Sequence, residues 1–155
     1  MEYDAKEKLS EHFTVGECCK SETAMRLGIA NEPNELEYYN LKKVCMQVLE
    51  PVRVYFDKPF IPNSGFRCQE LNKAIGSSTT SQHAKGQAID FELPGVDNLE
   101  VASWVRDNVS FDQLILEHYD GVDPNSGWIH VSYVSPEENR RQALTYDGKS
   151  YEVWT

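Results

Sequence analysis

The chain has 155 residues, of which 40% are hydrophobic and 11% aromatic, so it is long enough to bury a core without disulfide staples. Its formal net charge of −10 excludes a typical nucleic-acid-binding protein, because such proteins need a basic surface. It contains no run of about 18 apolar residues, which excludes a membrane-spanning helix. The charged segment 1–8 also lacks the apolar core of a signal peptide, so we expect synthesis in the cytoplasm.

The N-terminal third predicts helices. Thr14 and Glu17 have the spacing of a capping box, and residues 21–27 predict a short helix closed by Gly28. Residues 35–56 predict the longest helix, with a kink or break at Pro51. Its apolar residues recur every three or four positions and form one stripe, at Leu41, Val44, Cys45, Val48, Leu49 and Val52.

The middle of the chain contains shorter segments. Residues 60–61 predict a short strand, and residues 69–75 predict a short helix ended by Gly76. Residues 77–81 are polar throughout and predict a loop.

The second half predicts mainly strands. Residues 87–93 alternate, so Asp90 faces the side opposite to its apolar neighbours. Residues 99–105 predict an amphipathic helix with Asn98 as its N-cap. Two further strands and a C-terminal hairpin are predicted at residues 111–117, 128–134 and 143–154. Helices followed by mostly antiparallel strands predict an α+β fold in one domain over residues 1–155, with the helices packed on the sheet.

Two of these strands carry metal-binding side chains on the face away from the core. Asp90 and His130 each stand between apolar neighbours, and Gly86 lets the preceding loop turn so that His83 reaches the same point. Two imidazoles and one carboxylate leave the fourth tetrahedral position open, as in catalytic zinc sites. Manganese or cobalt suits the same donors.

A hydrolytic metal site also needs a general base. Glu117 is our candidate, because it ends the strand that we place beside His130. Asp123 is the alternative, since the connecting loop can bring it over the metal. An isolated strand histidine, by contrast, is more often a structural or surface residue.

The four cysteines do not form a C-x-x-C pair, and Cys18 and Cys19 are adjacent. We predict buried free thiols, with a disulfide formed after release as the alternative.

Two segments together resemble a known family. Residues 81–90 read Ser-Gln-His-Ala-Lys-Gly-Gln-Ala-Ile-Asp, and residues 128–132 read Trp-Ile-His-Val-Ser. This combination resembles the zinc D-Ala-D-Ala carboxypeptidase and L-alanyl-D-glutamate endopeptidase family, which shares its metal site with the hedgehog signalling domain. The likeness covers roughly residues 10–135 and is strongest to the branch common in bacteriophage lysis proteins.

The resemblance implies that His83, Asp90 and His130 bind one zinc ion per chain. Relatives often place an acid three residues before the last histidine, where this chain has Gly127. In the phage-like branch the acid at the end of the preceding strand fills that role, which agrees with Glu117.

The resemblance also implies substrate-binding residues. Arg67 would hold a substrate carboxylate through paired hydrogen bonds, with a structural ion pair to Glu70 as the alternative. Ser81 and Gln82 would line the pocket beside the metal.

The function that the resemblance implies is a zinc metallopeptidase that hydrolyses peptidoglycan stem peptides. We expect a monomeric phage endolysin without membrane insertion, which a holin releases from the host cytoplasm to the periplasm. The bond cut is either L-Ala–D-Glu, by an endopeptidase, or D-Ala–D-Ala, by a carboxypeptidase. A non-catalytic, zinc-stabilised binding or virion structural module is the alternative from another class.

Overall fold

The computed structural model describes residues 2–154, in which helices pack on one face of a mostly antiparallel sheet. This arrangement confirms the predicted α+β fold class. The helices are α1 (Val15–Cys19), α2 (Glu22–Leu27), α3 (Glu35–Val44), α4 (Glu50–Phe56), α5 (Gln69–Ala74) and α6 (Asn98–Asn108). The strands are β1 (Ala88–Phe91), β2 (Gln113–Glu117), β3 (Trp128–Ser132), β4 (Gln142–Tyr146) and β5 (Tyr151–Val153).

The helix starts predicted from the sequence are confirmed in the N-terminal third. Thr14 and Glu17 form the capping box of α1, each side chain accepting from the other's backbone N–H. Ser21 caps α2, which ends at Gly28 in the left-handed conformation.

The long helix predicted at residues 35–56 changes its hydrogen-bond pattern before Pro51. A π turn, Cys45–Leu49, joins α3 to α4, and the Glu50 N–H donates to the Cys45 carbonyl. Pro51 has no N–H to donate, and its ring crowds the preceding turn of a regular helix. The chain therefore accommodates Pro51 by a local π turn and continues as α4.

Two local predictions are wrong. Residues 60–61 form no strand, because the outer edge of β1 is bonded by Ser64, which makes an isolated antiparallel bridge with Asp90. The N-cap of α6 is Asp97, whose carboxylate accepts from the Leu99 N–H. The Asn98 side chain instead donates to backbone carbonyls of the loop before β3.

The sheet has the strand order β1-β3-β2-β4-β5 over the described residues. All neighbouring strands are antiparallel except β2 and β4, which run parallel. The predicted C-terminal hairpin is confirmed as β4 and β5, and it extends the sheet on the side of β2.

The core lies between the helices and one face of the sheet. Every second residue of β1, β3 and β2 points into it and is buried: Ile89, Phe91, Ile129, Val131, Leu114 and Leu116. The apolar stripe predicted for the long helix packs against them, as do Val101, Ala102 and Val105 of α6. The opposite face of the same strands is therefore available for polar groups.

The cysteines are free thiols, three of them buried and Cys68 partly buried. The sulfur atoms of Cys18 and Cys45 lie 3.6 Å apart, and this hydrogen bond together with burial raises the pKa of Cys45. Within residues 2–154, no helix combines the length and the apolar character that crossing a bilayer requires.

Candidate metal centre

Three side chains with metal-binding atoms meet on the open face of the sheet. Asp90 of β1 lies directly opposite His130 of β3 in the strand register, so both side chains point to the same side. His83 joins them from a short 3₁₀ turn, Gln82–Lys85, that precedes β1. The Asp90 Oδ1 lies 2.9 Å from His130 Nδ1 and 3.3 Å from His83 Nε2. One potential ligand atom from each residue lies within 4.8 Å of the other two.

Local turn chemistry brings His83 to this point. The Ser81 hydroxyl accepts from the His83 N–H and caps the 3₁₀ turn, which ends at Gly86 with a φ of 73°. A Cβ at Gly86 would lie 2.5 Å from the Glu37 carbonyl oxygen, so the close approach to α3 requires glycine.

The donor set fits a divalent metal such as zinc. The carbonyl of Gly65 accepts from His83 Nδ1 at 2.8 Å, so the other ring nitrogen, Nε2, is the one that faces Asp90. Such a hydrogen bond from the outer nitrogen is the usual way in which proteins orient a metal-binding histidine. Burial alone raises the pKa of Asp90, but hydrogen bonds from His130 and His83 hold that pKa well below its ordinary value. Asp90 is therefore an ionised carboxylate.

Glu117 lies on the same cavity-facing side of the sheet as Asp90 and His130. It is two residues along β2 from Ile115, the residue that pairs with His130. Ile115 of β2 lies opposite His130, and Glu117 lies opposite Trp128. The Trp128 indole N–H donates to Glu117 Oε2 at 2.8 Å and fixes the carboxylate. Burial raises the pKa of Glu117, and the charge of Asp90 adds to this rise against the opposing charge of His130. A carboxyl group of raised pKa is suited to accept and return a proton.

Gly127 explains why this chain carries no acid three residues before His130. Its φ is 66°, and a Cβ there would lie 1.9 Å from the Glu117 carbonyl oxygen. Any side chain at this position would collide with the backbone that carries Glu117. The carboxylate that lines this cavity beside Trp128 is Glu117, on the neighbouring strand β2.

Asp123 lies outside this cluster. It belongs to an exposed turn, where its carboxylate accepts from the Asn125 N–H and its own N–H donates to Asp120. The loop between β2 and β3 thus folds on itself, and Asp123 is not among the residues that line the cavity described next.

An open cavity of about 500 Å³ covers the cluster. Apart from the alternative base Asp123, the site residues proposed from the sequence all line it, namely Arg67, Ser81, Gln82, His83, Asp90, Glu117 and His130. Ser81 and Gln82 contribute mainly to its wall, because Ser81 caps the turn and the Gln82 amide donates to Asp112 at 2.9 Å.

Arg67 faces the cavity without an ion pair. Its Nε is buried and has no hydrogen-bond partner within residues 2–154, and the alternative pairing with Glu70 is absent there too. Burial lowers the pKa of Arg67, and the charges of Asp90 and Glu117 partly offset this. Arg67 also lines a second cavity of about 460 Å³, bounded by α2 and α5. Its guanidinium therefore stands between two open spaces with capacity to bind an anion.

Sequence reasoning missed several residues around the site. Asp112 is buried immediately before β2 and accepts two side-chain hydrogen bonds and one backbone hydrogen bond from Arg140. The available signal was its position in the segment Asp-Gln-Leu-Ile, residues 112–115, which leads into the strand that ends at Glu117. Arg140, Trp128 and Tyr151 also line the cavity, and Tyr151 carried no sequence signal because it comes from the distant hairpin.

Comparison with known proteins agrees with this geometry. A family model described as Peptidase M15 matches residues 11–132. A search of curated proteins found no match. The matched region contains Glu117 and the three side chains that could hold a metal ion, and it ends before β4.

Proposed function

The chain belongs to the peptidase M15 family, and from this premise we propose that it is a zinc-dependent peptidase of bacterial peptidoglycan. The observation that carries the proposal is the cluster of His83, Asp90 and His130 beside Glu117 in one cavity. Its two imidazoles and one carboxylate match the donor set of catalytic zinc sites that keep one position open.

In the proposed reaction, the residues of the chain position the substrate and transfer protons. His83, Asp90 and His130 would hold the zinc ion, which would supply Lewis acidity to polarise the scissile carbonyl and to make water more acidic. Glu117 takes the proton from the attacking water and returns it to the leaving amine. The Trp128 N–H occupies Oε2 of Glu117, so Oε1 is the oxygen that exchanges the proton.

Arg67 supports an endopeptidase over a carboxypeptidase. A carboxypeptidase site ends where it binds the terminal carboxylate, whereas here Arg67 also lines a second cavity on the side of α2 and α5. In a stem peptide, D-glutamate is linked through its side chain, so its α-carboxylate is free within the chain. Arg67 can pair with this carboxylate while the peptide continues beyond it. We therefore favour cleavage of the L-Ala–D-Glu bond.

The proposed setting is lysis of a bacterial cell by a phage or prophage. The protein would be made in the host cytoplasm and would reach the peptidoglycan in the periplasm after release by a holin. The net charge of −10 disfavours adhesion to an anionic wall through charge, so affinity has to come from the groove.

A non-catalytic zinc-stabilised module is the second candidate, and Gly127 is the observation in its favour. Glu117 weighs against it. Its carboxylate is partly buried, is held by Trp128 and lies beside His83, Asp90 and His130, where it can act as a general base.

The decisive experiment is digestion of purified Gram-negative peptidoglycan by the zinc-loaded protein, with and without a chelator. Fragments are identified by mass spectrometry, and Glu117→Gln is the matched control because it keeps the metal ligands. We expect chelator-sensitive release of fragments with new D-glutamate N-termini. New D-alanine ends would indicate the carboxypeptidase. If the folded, zinc-bound protein released no fragments, the non-catalytic module would be the better account.

A further inference from the structure

The C-terminal hairpin, which lies beyond the family match, adds a wall to the site. β4 pairs with β2 so that Tyr146 lies beside Glu117, and β5 pairs with β4 so that Tyr151 lies beside Tyr146. One row across the sheet thus contains Trp128, Glu117, Tyr146 and Tyr151. Since neighbouring strands lie about 4.8 Å apart, the backbone of Tyr151 is about 10 Å from that of Glu117.

Tyr151 presents an aromatic ring that is both exposed and fixed. The residue is 57% exposed, yet its ring stacks on Tyr146 with centroids 4.3 Å apart and planes at 22°. Tyr146 in turn contacts the edge of His118, which packs against Trp128. An ordered aromatic surface of this kind binds a partner without a large loss of side-chain entropy.

The Tyr151 ring belongs to the same cavity as the metal-binding cluster. Burial raises the pKa of the Tyr151 phenol, and the negative charge of Glu117 raises it further. Tyr151 and Glu117 both line this cavity, and only β4 lies between their strands in the sheet.

Arg67 and Tyr151 mark opposite sides of the cavity. The Arg67 N–H donates to the His83 carbonyl near the outer edge of β1, whereas Tyr151 belongs to β5 at the other edge of the sheet. Both candidate substrates place a carboxylate on the leaving-amine side of the scissile bond. If Arg67 binds that carboxylate, the acyl side of the substrate runs across Glu117 toward Tyr151.

The acyl side of an L-Ala–D-Glu bond is short. One alanine and a lactyl group separate the scissile carbonyl from the N-acetylmuramic acid ring. At about 3.5 Å per residue, this sugar reaches roughly 7–10 Å from the scissile bond, which matches the position of Tyr151. In a D-Ala–D-Ala substrate the sugar would be several residues farther away.

We propose that Tyr151 binds the amino-sugar ring of the glycan strand to which the stem peptide is attached. The inference rests on the proposed function, since it takes peptidoglycan as the substrate. The C–H face of a sugar ring is apolar and complements the electron-rich face of an aromatic ring. The contact does not depend on attraction between charges, which suits a chain of net charge −10 acting on an anionic polymer.

The test compares two substrates of the zinc-loaded protein. One is N-acetylmuramyl-L-alanyl-D-glutamyl peptide, and the other is the same peptide with a plain acetyl group in place of the sugar. Tyr151→Ala should lower kcat/KM for the sugar-bearing substrate about five- to tenfold, mainly through KM. It should leave the sugar-free substrate nearly unchanged, and Tyr151→Phe should behave as the native protein.

Matched variants separate a local contact from a general loss of structure. Tyr55→Ala removes a tyrosine of similar exposure, 61%, which stacks on Trp104 away from the cavity. It should preserve the preference for the sugar-bearing substrate. Tyr151→Thr, a good strand former, replaces Tyr151→Ala if the latter does not fold.

A binding measurement makes the test independent of turnover. Isothermal titration calorimetry of N-acetylmuramyl-L-alanine, which lacks the scissile bond, should give a Kd about five- to tenfold weaker for Tyr151→Ala. Equal Kd values and an equal substrate preference in the native protein and Tyr151→Ala would overturn the inference. If the native protein cleaved neither substrate, the proposed function itself would fail. If it cleaved both equally well, only the role of Tyr151 would be lost.

Discussion

One face of the central sheet is apolar and the other is polar, although adjacent residues of the same strands form both faces. On the helix side, Ile129 and Val131 are completely buried among apolar side chains. On the other side, His130 stands between them in sequence and meets Asp90 in an open cavity. Burial of the apolar side chains on one face stabilises the folded state, because it removes apolar surface from water. The other keeps polar groups close together, each held by a hydrogen bond.

This contrast shows how the fold separates stability from chemistry. The sheet accommodates polar groups such as Glu117 on its open face because apolar residues on the opposite face of the same strands hold the backbone in place. Substitutions on the open face should therefore change metal binding or turnover, whereas those on the core face should change the free energy of unfolding. The following variants test that separation, starting with the largest expected effect.

His130→Ala should abolish stoichiometric zinc binding and reduce peptidase activity to background, because two ligands do not hold zinc as three do. The fold should persist, since His130 faces the cavity. Zinc content by mass spectrometry and circular dichroism measure the two effects. His12→Ala is the control, because His12 binds Glu50 on the surface and should leave zinc binding unchanged. Retention of zinc at native affinity by His130→Ala would contradict the assignment.

Glu117→Gln should lower kcat by roughly 10²- to 10⁴-fold, the usual contribution of a general base. Zinc stoichiometry should not change, and the glutamine oxygen can still accept from the Trp128 indole. Steady-state kinetics on a muropeptide check the prediction. Asp123→Asn, in the exposed turn, should have native activity. If Asp123→Asn lost activity and Glu117→Gln did not, their assigned roles would be exchanged.

Leu114→Ala should lower the free energy of unfolding by about 2–5 kcal/mol, because it opens a cavity in a completely buried part of the core. Under conditions where the variant is folded, zinc stoichiometry should stay native. Chemical denaturation measures the first quantity and metal analysis the second. Val122→Ala, at an exposed position, should change stability by less than about 0.5 kcal/mol. Loss of zinc from folded Leu114→Ala would show that the two faces are coupled.

Asp112→Asn should lower the free energy of unfolding by about 1–3 kcal/mol, because it weakens the charge-assisted bonds from Arg140 and Gln82. Burial alone raises the pKa of Asp112, but the Arg140 bonds lower it to about 2. A depressed carboxyl pKa stabilises the folded state above its unfolded pKa, near 4, and this contribution is lost as the pH falls toward the folded pKa. Urea denaturation should therefore show the difference from the native protein shrinking between about pH 4 and 2. A difference that does not vary with pH would exclude the ion pair as its cause.

Much of the open face could be predicted from the sequence because strand alternation is a local property. The period of two places Asp90 and His130 on the side opposite to Ile89 and Val131 without knowledge of the partner strands. Capping residues such as Thr14 and Ser21 likewise act within three positions of the chain.

Other features depended on contacts between distant segments. The strand predicted at residues 60–61 is absent because Ser64 occupies the edge of β1, and sequence periodicity does not identify a partner. The steric requirement for Gly127 likewise becomes visible only when the backbone of Glu117 is placed beside it.

The sequence by itself thus determined most of the helices and strands and the candidate metal-binding residues, since these depend on spacing over a few residues. Only the tertiary structure decided that β4 pairs in parallel with β2 and that Tyr151 reaches the cavity. The physical reason is that strand pairing depends on the total free energy of burial and hydrogen bonding between distant segments, which no local pattern records.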